Sequence, residues 1–368
     1  MVRRGDQRQG LRVRVACVNQ DSGIQPERKK GAAVHLREMR RSFASLGAEV
    51  VAIDEGDGVE MRAALERAWE EGAIDFVYER YALGATSGAE FATDRNIPYI
   101  LEVNTPLIDE EERWRGPVSE EVRELERVLF RNASMIVVVS TEVAAYVGRH
   151  GVDPGRIFVF ANGVDNDRFR PRSAGDPLRA ELVPEGRFVL GFHGRLRGWH
   201  GFDRLAQAVG KLLSAGLPIH LLLVGEGDFE EALEDHVDLD NVTRVPWVDH
   251  EDIPKYVACF DALPLTYHPD TPCYFSPLKL AEAMACGVVP IVPNMGDLTD
   301  VVQDKKNGLV FSGEDLDAFS KAVKVLVEDE ETRIRLSQGA VEAAASMSWK
   351  RIAGFILEKA ALEKAGPQ

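Results

Sequence analysis

The sequence predicts an α/β protein built from two doubly wound domains. Short runs of β-branched and other apolar residues alternate with helical patterns along most of the 368 residues, which is typical of βαβ units with a parallel sheet. That length exceeds one ordinary domain and suits two of about 150 to 200 residues each. The turn-rich segment NGVDNDRFRPRSAGDP interrupts the alternation. We therefore predict a boundary near Arg172, with domains at 1–172 and 173–348.

In the first domain, five apolar runs predict buried strands: RVRVACVN, VVAID, DFVYER, PYILEVN and SMIVVVS. Helical patterns lie between them at 32–46, 59–71, 84–95 and 119–131. The first helix carries Leu36, Met39, Phe43 and Leu46 at three-four-three spacing, so one stripe should face the sheet, and Gly31 marks its start.

A second alternation follows the boundary. FVLGFHG, IHLLLVG, VTRVPW, DALPL and VVPIV predict strands. The helices predicted among and after them are 201–214, 251–258, one opening in YFSPLKLAEAMACG, then 315–328, 331–345 and a terminal helix at 349–363. Ligands in such open sheets gather at the carboxyl ends of the strands.

Composition excludes several classes of protein. A formal net charge of −16 and a pI near 5.1 argue against nucleic acid as a partner, because phosphate-backbone binding needs a basic surface. No apolar run reaches the 18 or more residues of a membrane span, and the N-terminus is too polar for a signal peptide. Cys17, Cys259, Cys273 and Cys286 show no metal-binding spacing, so we predict reduced thiols in a cytoplasmic protein.

Basic residues are concentrated near the N-terminus. Two interpretations stay open: a solvated face, or a site for an anionic acceptor or an acidic membrane surface, which would make the protein peripheral at a membrane. The residues are Arg3, Arg4, Arg8, Arg12, Arg14, Arg28, Lys29, Lys30, Arg37, Arg40 and Arg41.

The stretch YFSPLKLAEAMACG predicts a helix start beside a ligand. Ser276 can cap the helix, Pro277 fits its first position and Gly287 ends it. The helix N-terminus and Lys279 favour a phosphate, whereas Glu282 on the same side suits a pair of sugar hydroxyls. Together they describe a nucleotide site. The alternative is an ordinary helix start with Glu282 as a surface charge.

A second element of the same domain offers further cations. In LGFHGRLRGWHGFDRL, Gly194 and Arg195 follow a buried strand, and His200 precedes a helix. The guanidinium fork of Arg195 suits diphosphate oxygens, and His200 is a second candidate donor. A solvated loop is the alternative. No GxxxxGK[ST] sequence is present, which weakens a kinase interpretation, and Gly225-Glu226-Gly227 is too short for a dinucleotide fingerprint.

These segments resemble those of family 4 glycosyltransferases, retaining enzymes of the GT-B fold that use nucleotide-diphosphate sugars. The resemblance rests on KKGAAVHL, NGVDNDRF, GRLRGWHGFDRL, LVGEGD and FSPLKLAEAMACGVVPIV, in the expected order over nearly the whole chain. It implies two Rossmann-like domains facing a cleft, the first for the acceptor and the second for the donor, with the C-terminal helix 349–368 packing back on the first.

The resemblance also assigns roles. Arg195 and Lys279 are expected to stabilise the diphosphate during catalysis, Glu282 to bind the ribose, and Gly31 to bring its N–H close to the phosphate or the transferred sugar. The remaining expected donor-binding residues are Gly194, His200, Tyr274, Phe275, Ser276, Pro277 and Leu278. No metal or other cofactor is required. The sequence DLD at 238–240 imitates a metal-binding motif, but we interpret it as a surface loop.

Three positions depart from the family pattern. Tyr274 replaces a glutamate, His200 a lysine and Asn104 a histidine. The missing carboxylate leaves the identity of the sugar open, and Asn104 cannot serve as a general base.

In the first domain, Glu79, Arg80, Glu102 and Asn104 end two predicted strands. They are candidates for the acceptor site, and buried ion pairs that stabilise the fold explain them nearly as well. His35 is interpreted as a packed histidine.

We therefore expect a metal-independent, retaining hexosyltransferase of polysaccharide biosynthesis. It would move a hexose from a UDP-sugar to a saccharide or lipid-linked acceptor. Two alternatives remain: a sugar-nucleotide epimerase of the same fold, and a noncatalytic protein that binds sugar nucleotides.

Overall fold

The structure, a computed structural model, describes residues 12–24, 31–54, 56–171 and 177–365. Among these, the chain divides into two compact units. Met1–Val138, Ala144–Phe158 and Lys350–Gln368 belong to the first, and Val139–Val143 and Val159–Trp349 to the second. The domain boundary expected near Arg172 stays a prediction.

A six-stranded sheet in the order β2-β1-β3-β4-β5-β6 underlies the first unit. Its strands are β1 Arg14–Asn19, β2 Glu49–Ile53, β3 Phe76–Arg80, β4 Tyr99–Val103, β5 Met135–Val138 and β6 Ile157–Val159. The helices of this part are α1 Gly31–Ser45, α2 Gly58–Glu71, α3 Ser87–Arg95, α4 Leu107–Trp114, α5 Glu120–Asn132 and most of α6 Thr141–Gly148, whose first three residues belong to the second unit. β1 and β3 pair with each other in parallel, and the strand order reverses between them.

The second unit repeats this plan in the order β12-β11-β10-β7-β8-β9. Its strands are β7 Phe188–Arg195, β8 Ile219–Glu226, β9 Val242–Val245, β10 Ala262–Pro264, β11 Val289–Pro293 and β12 Leu309–Phe311. The helices are α7 Pro177–Leu182, α8 Phe202–Ser214, α9 Phe229–Leu233, α10 Ile253–Val257, α11 Leu278–Ala285, α12 Leu298–Val301, α13 Leu316–Glu328 and α14 Glu330–Ala345. The last helix, α15 Trp349–Ala365, lies almost wholly in the first unit.

The predicted parallel α/β class is confirmed by these two six-stranded sheets. Central strands are buried on both faces, as in Phe76–Arg80 and Tyr99–Val103, because helices cover both sides of a doubly wound sheet.

One detail of the predicted α1 stripe is wrong. Leu36, Met39 and Phe43 are buried, but Leu46 follows the helix and is 45 % exposed. The helix ends at Ser45 in a turn at Gly47, whose φ is +92°, so the apolar spacing continues one residue beyond the helical backbone.

Candidate functional site: the carboxyl edge of the second sheet

The strand order of the second sheet brings two predicted site segments together. The order reverses between β7 and β10, which pair directly through Ala262 and Leu190. Arg195 ends β7, and the loop after β10 leads into α11 with Lys279 and Glu282. Ligands of doubly wound sheets bind at such a reversal, so both segments lie at the expected place.

Arg195 lies on the exposed side of this edge. Its guanidinium is 2.5 Å from Glu226 Oε2, and both side chains are about half exposed. The two residues are register partners at the ends of β7 and β8. Because exposed ion pairs contribute little stability, Arg195 can exchange Glu226 for an anionic ligand at little cost. Gly194, just before it, has a φ of +101°.

The start of α11 corrects the predicted cap. The helix begins at Leu278, and Pro277 is its N-cap residue instead of its first helical residue. No side chain caps the helix. Ser276 is engaged elsewhere: its Oγ accepts from the Asn162 N–H at 2.8 Å, and its carbonyl accepts from Asn162 Nδ2 at 2.5 Å. Proline before the first turn leaves the preceding serine extended, so Ser276 holds the loop instead of the helix end.

Lys279 joins the two segments. Its Nζ lies 3.1 Å from His200 Nε2 and 4.0 Å from the centre of the Phe192 ring. Burial lowers the pKa of Lys279 to about 7, although Glu282 acts in the opposite direction. Burial, with Lys279 and Arg197, lowers the pKa of His200 strongly. At neutral pH, this side of the site therefore carries less positive charge than a solvent-exposed lysine would give it.

The hydrogen bonds of His200 fix its tautomer. The Arg197 N–H donates to His200 Nδ1 at 2.9 Å, so in a neutral ring the proton is on Nε2. That proton points at Lys279 Nζ, which accepts it only as a neutral amine. The geometry and the lowered pKa of Lys279 agree.

Glu282 is buried, and the alternative of a surface charge is wrong. The residue is 5 % exposed. Its Oε1 lies 2.7 Å from His250 Nε2, and its Oε2 lies 3.6 Å from His193 Nε2. Burial opposes ionisation, but His250, His193 and Arg168 outweigh it and hold the pKa of Glu282 below its usual value. An ionised carboxylate is thus kept in the interior, one turn from Lys279.

The other predicted donor residues occupy the loop before α11 or lie apart from it. The Tyr274 carbonyl accepts from Ser140 Oγ at 2.6 Å. The Phe275 ring meets the Tyr267 ring edge-on at 5.3 Å. Leu278 is half-buried, and Gly31 opens α1 in the other unit. Their roles toward a donor stay predictions.

A network around Glu102 brings three of the four acceptor-site candidates together. Glu102 accepts from Arg80 at 2.9 Å, from Tyr78 and from Asn104, and its Oε2 lies 2.9 Å from His35 Nε2. Arg80, Glu102 and His35 are all buried. These contacts pair the buried charges with one another and arrange polar groups at the carboxyl edge of the first sheet. The roles of these residues in an acceptor site or as ion pairs that stabilise the fold stay predictions.

Glu79 lies apart from this network. Side chains alternate along a strand, so Glu79 faces the opposite side of the sheet from Tyr78 and Arg80. It accepts from Tyr99 at 2.7 Å and from Gln20. Burial raises the pKa of Glu79 to about 7, against these two hydrogen bonds.

The predicted basic face is only partly within the described residues. Arg40 binds Asp54 at 2.6 Å and the Cys17 carbonyl at 3.0 Å, and Arg14 binds Glu49 at 2.8 Å. Membrane contact stays a prediction. Among the described residues, no helix is long and apolar enough to cross a bilayer. Six residues of the predicted basic face lie outside the residues that the structure describes: Arg3, Arg4, Arg8, Arg28, Lys29 and Lys30.

The predicted thiols and the DLD loop agree with the structure. All four cysteines are free and buried. Asp238 precedes a short 3₁₀ turn at Leu239–Asn241, and its Oδ1 accepts from the Asp240 N–H at 3.1 Å. In the described part of the chain, no three histidine, cysteine or acidic side chains are grouped to hold a metal ion. Metal independence stays a prediction.

Sequence reasoning missed four residues of this edge: Glu226, Arg168, His193 and His250. The equal lengths of β7 and β8, with an arginine and a glutamate at their ends, could have indicated the pair with Arg195. The others come from distant segments, and no spacing in the sequence links them to Glu282.

Comparison with family models matches both halves of the chain. The model described as "Glycosyl transferase 4-like domain" matches residues 1–163, and the one described as "Glycosyl transferases group 1" matches residues 187–329. The chain is 30 % identical over 314 residues to a D-inositol 3-phosphate glycosyltransferase of Stackebrandtia nassauensis, covering 79 % of this chain and 69 % of the relative. A protein of the same name from Nocardioides sp. is 30 % identical over 320 residues, covering 80 % and 68 %.

Solved structures share the fold at low identity. Sucrose-phosphate synthase from Thermosynechococcus elongatus aligns with a TM-score of 0.76 at 18 % identity, over 97 % of this chain and all of that one. Anabaena HepE in complex with UDP aligns with a TM-score of 0.73 at 19 % identity, over 95 % of this chain and all of HepE.

Proposed function

Because the chain belongs to the family 4 glycosyltransferases and has their GT-B fold, we propose that it is a retaining hexosyltransferase. It takes a hexose from a UDP-sugar and transfers it to a hydroxyl group of a saccharide or lipid-linked acceptor. The UDP bound to HepE supports a nucleotide-sugar donor, and the name of the relatives supports glycosyl transfer.

One observation supports this most directly. Lys279 and Glu282 lie on α11 beside the loop of Arg195 and His200, and Lys279 contacts His200 across the strand-order reversal. Cations at this edge suit a diphosphate, and an ionised, buried carboxylate suits the hydroxyl groups of a ribose. Lys279, for the diphosphate, and Glu282, for the ribose, lie within one turn of α11, as the adjacent diphosphate and ribose of a nucleotide require.

In the proposed reaction, the bond between the sugar C1 and the β-phosphate oxygen breaks, and its electron pair stays on the diphosphate. The acceptor oxygen bonds to C1 on the same face, and its proton passes to a phosphate oxygen. Lys279 and Arg195 stabilise the charge that grows on the leaving diphosphate.

We further propose that no metal ion takes part. The cations at the site, Lys279 and Arg195, are of the kind that can balance diphosphate charge directly. Full activity after treatment with EDTA is the expected result. Loss of activity with EDTA that added Mg²⁺ or Mn²⁺ restores would contradict it.

For the acceptor, polar groups around Glu102 are the proposed contacts. Arg80, Asn104 and His35 converge on this carboxylate at the carboxyl edge of the first sheet. The curated relatives are named for an acceptor that is both a polyol and an anion. D-inositol 3-phosphate therefore belongs in the acceptor panel beside neutral saccharides and lipid-linked acceptors.

The test is product analysis with UDP-hexoses and this panel. We expect a product that forms only with an acceptor, and an α-linked product from an α-configured donor by NMR. A β-linked product would contradict retention. An epimeric nucleotide sugar formed without acceptor would indicate an epimerase. Binding with no transfer to any acceptor and very slow hydrolysis of the donor would indicate a noncatalytic protein.

A further inference from the structure

Behind Glu282, two side chains from other segments form a line of hydrogen bonds. Arg168 lies in the segment before α7, and one of its terminal nitrogens is 3.0 Å from His250 Nδ1. His250, just before α10, places its Nε2 2.7 Å from Glu282 Oε1. Both side chains are largely buried, with 23 % exposed for Arg168 and 18 % for His250. Three distant segments thus meet at one carboxylate.

The direction of this chain follows from the chemistry of its members. A guanidinium only donates, so His250 Nδ1 accepts from Arg168. The ring proton is then on Nε2, and it is donated to Glu282 Oε1. The chain therefore runs one way, from Arg168 through His250 to Glu282. It fixes the plane of the carboxylate and occupies Oε1.

The second carboxylate oxygen faces a different environment. Oε2 lies 3.6 Å from His193 Nε2, and that nitrogen has no hydrogen-bond partner among the described residues although His193 is only 5 % exposed. Burial lowers the pKa of His193 to about 4, against the effect of Glu282. At neutral pH, Oε2 is thus an ionised oxygen that accepts no hydrogen bond from His193, whereas Oε1 is already held by His250.

We propose that Arg168 and His250 are positioning residues that hold Glu282 with Oε2 turned toward the ribose hydroxyls of the donor. The inference rests on the proposed function, because it needs a nucleotide at α11. It assigns to two residues outside α11 and its loop a part in selecting ribose-bearing nucleotides. A purely structural role would instead affect the folding or the general shape of the site.

The test compares UDP with its 2′,3′-dideoxy analogue by calorimetric titration. The parent protein should prefer UDP by about 10²-fold, the effect of two ribose hydrogen bonds. His250→Phe keeps a ring but loses the donor, so it should lose at least about tenfold of this preference while the affinity for the dideoxy analogue stays unchanged. His250→Gln, which keeps an amide donor, should retain most of the preference. His236→Phe, at an exposed position, is the matched control.

Kinetics give a second readout. The donor KM of His250→Phe should rise with kcat nearly unchanged, because ribose contacts are the same in the ground and transition states. If His250→Phe does not fold, Arg168→Met makes the same comparison, since it breaks the chain one step further from Glu282.

Two results would overturn the inference alone. One is a folded variant that keeps the parent preference for UDP, and the other is an equal loss of affinity for UDP and the dideoxy analogue. If the parent protein binds none of UDP, ADP and GDP, the proposed function fails, and the inference fails with it.

Discussion

The amine of Lys279 lies beside a histidine nitrogen that has no lone pair to offer it. His200 uses Nδ1 to accept from the Arg197 N–H, so its Nε2 proton points at Lys279 Nζ at 3.1 Å. The site accommodates a neutral amine in this state, and a diphosphate would restore the charge on Lys279 by stabilising the ammonium form.

We predict that UDP binding takes up a proton above about pH 7. In the free protein, Lys279 loses its proton near that pH, whereas bound UDP stabilises the protonated form of Lys279. The affinity for UDP should therefore fall as the pH rises from 7 to 9, by up to tenfold per pH unit. Calorimetry in buffers of different ionisation enthalpy measures the uptake. Lys279→Arg, which stays charged, should remove the pH dependence; an unchanged dependence would show that another group titrates.

Arg195 and Glu282 should give different defects. Glu282→Gln should mainly weaken binding of UDP and the donor, because ribose is held equally in both states. Arg195→Ala should chiefly lower kcat, by roughly 10²-fold or more, because the Arg195 guanidinium stabilises the negative charge that grows on the diphosphate as it leaves. Steady-state kinetics with UDP titration separate the two. Glu226→Gln, which removes the partner of Arg195, is the control and should not lower kcat.

If both variants fold, by circular dichroism, and still bind UDP and transfer sugar at the parent rate, the carboxyl edge of the second sheet is not the donor site.

At the scale of elements, the junction between β7 and α8 depends on one close approach. Gly201 has a φ of +61°, and a Cβ there would lie 1.9 Å from the Thr266 carbonyl oxygen. The α8 start therefore lies directly against the loop after β10. Because the contacting atom belongs to the Thr266 backbone, no side-chain rotation can relieve the clash with an added Cβ.

Gly201→Ala should consequently destabilise the protein by about 3 kcal/mol or more, from the clash and the left-handed backbone together. Gly216→Ala is the matched control: its φ is +82°, but no heavy atom lies within 4 Å of the added Cβ. It should cost only about 1 to 2 kcal/mol. Urea unfolding of both variants measures the difference, and equal losses would refute a steric role for Gly201.

Most elements could be predicted from the sequence, because apolar period and turn residues act locally. The helix expected at 32–46 is Gly31–Ser45, and that expected at 315–328 is Leu316–Glu328. Seven short elements were not predicted: α4, α6, α7, α9, α12, β6 and β12. Each has between 3 and 8 residues, which is too short for a period to distinguish it from a loop.

The candidate site divides in the same way. Arg195, Lys279 and Glu282 could be named because each lies beside a strand end or a helix start. The surroundings that set their charge could not, since Glu282 meets His250 and His193 only through the packing of three separate segments. The failed cap at Ser276 has a similar cause: Asn162, 114 residues away, binds the serine first.

At the scale of the whole molecule, buried ionisable groups link stability to pH. Glu79 is 1 % exposed, and its pKa is raised to about 7 from an ordinary value of 4.5. Between these values the folded protein holds a proton that the unfolded chain has released. Stability should therefore fall as the pH rises from about 4.5 to 7.

Glu79→Gln should flatten this part of the plot of unfolding free energy against pH. The unfolding free energy of the variant, relative to that of the parent, should therefore be higher at pH 8 than at pH 5. Unfolding free energies at the two pH values measure it. Glu90→Gln, at an exposed position of α3, is the control. A parallel profile for parent and Glu79→Gln would show that Glu79 is already ionised at pH 5.

The division of the chain bears on how the protein can be cut. The backbone passes between the units at four places, after Val138, Val143, Phe158 and Trp349. A protease that cleaves one of these leaves the two units linked through another, so nicking need not release a domain. A recombinant fragment 159–349 would lack the short segment 139–143. In the intact chain, Ser140 binds the Tyr274 carbonyl at 2.6 Å and the Thr141 N–H binds Asp297 at 2.6 Å. Such a fragment would have an altered loop before α11, and its nucleotide affinity would understate that of the whole enzyme.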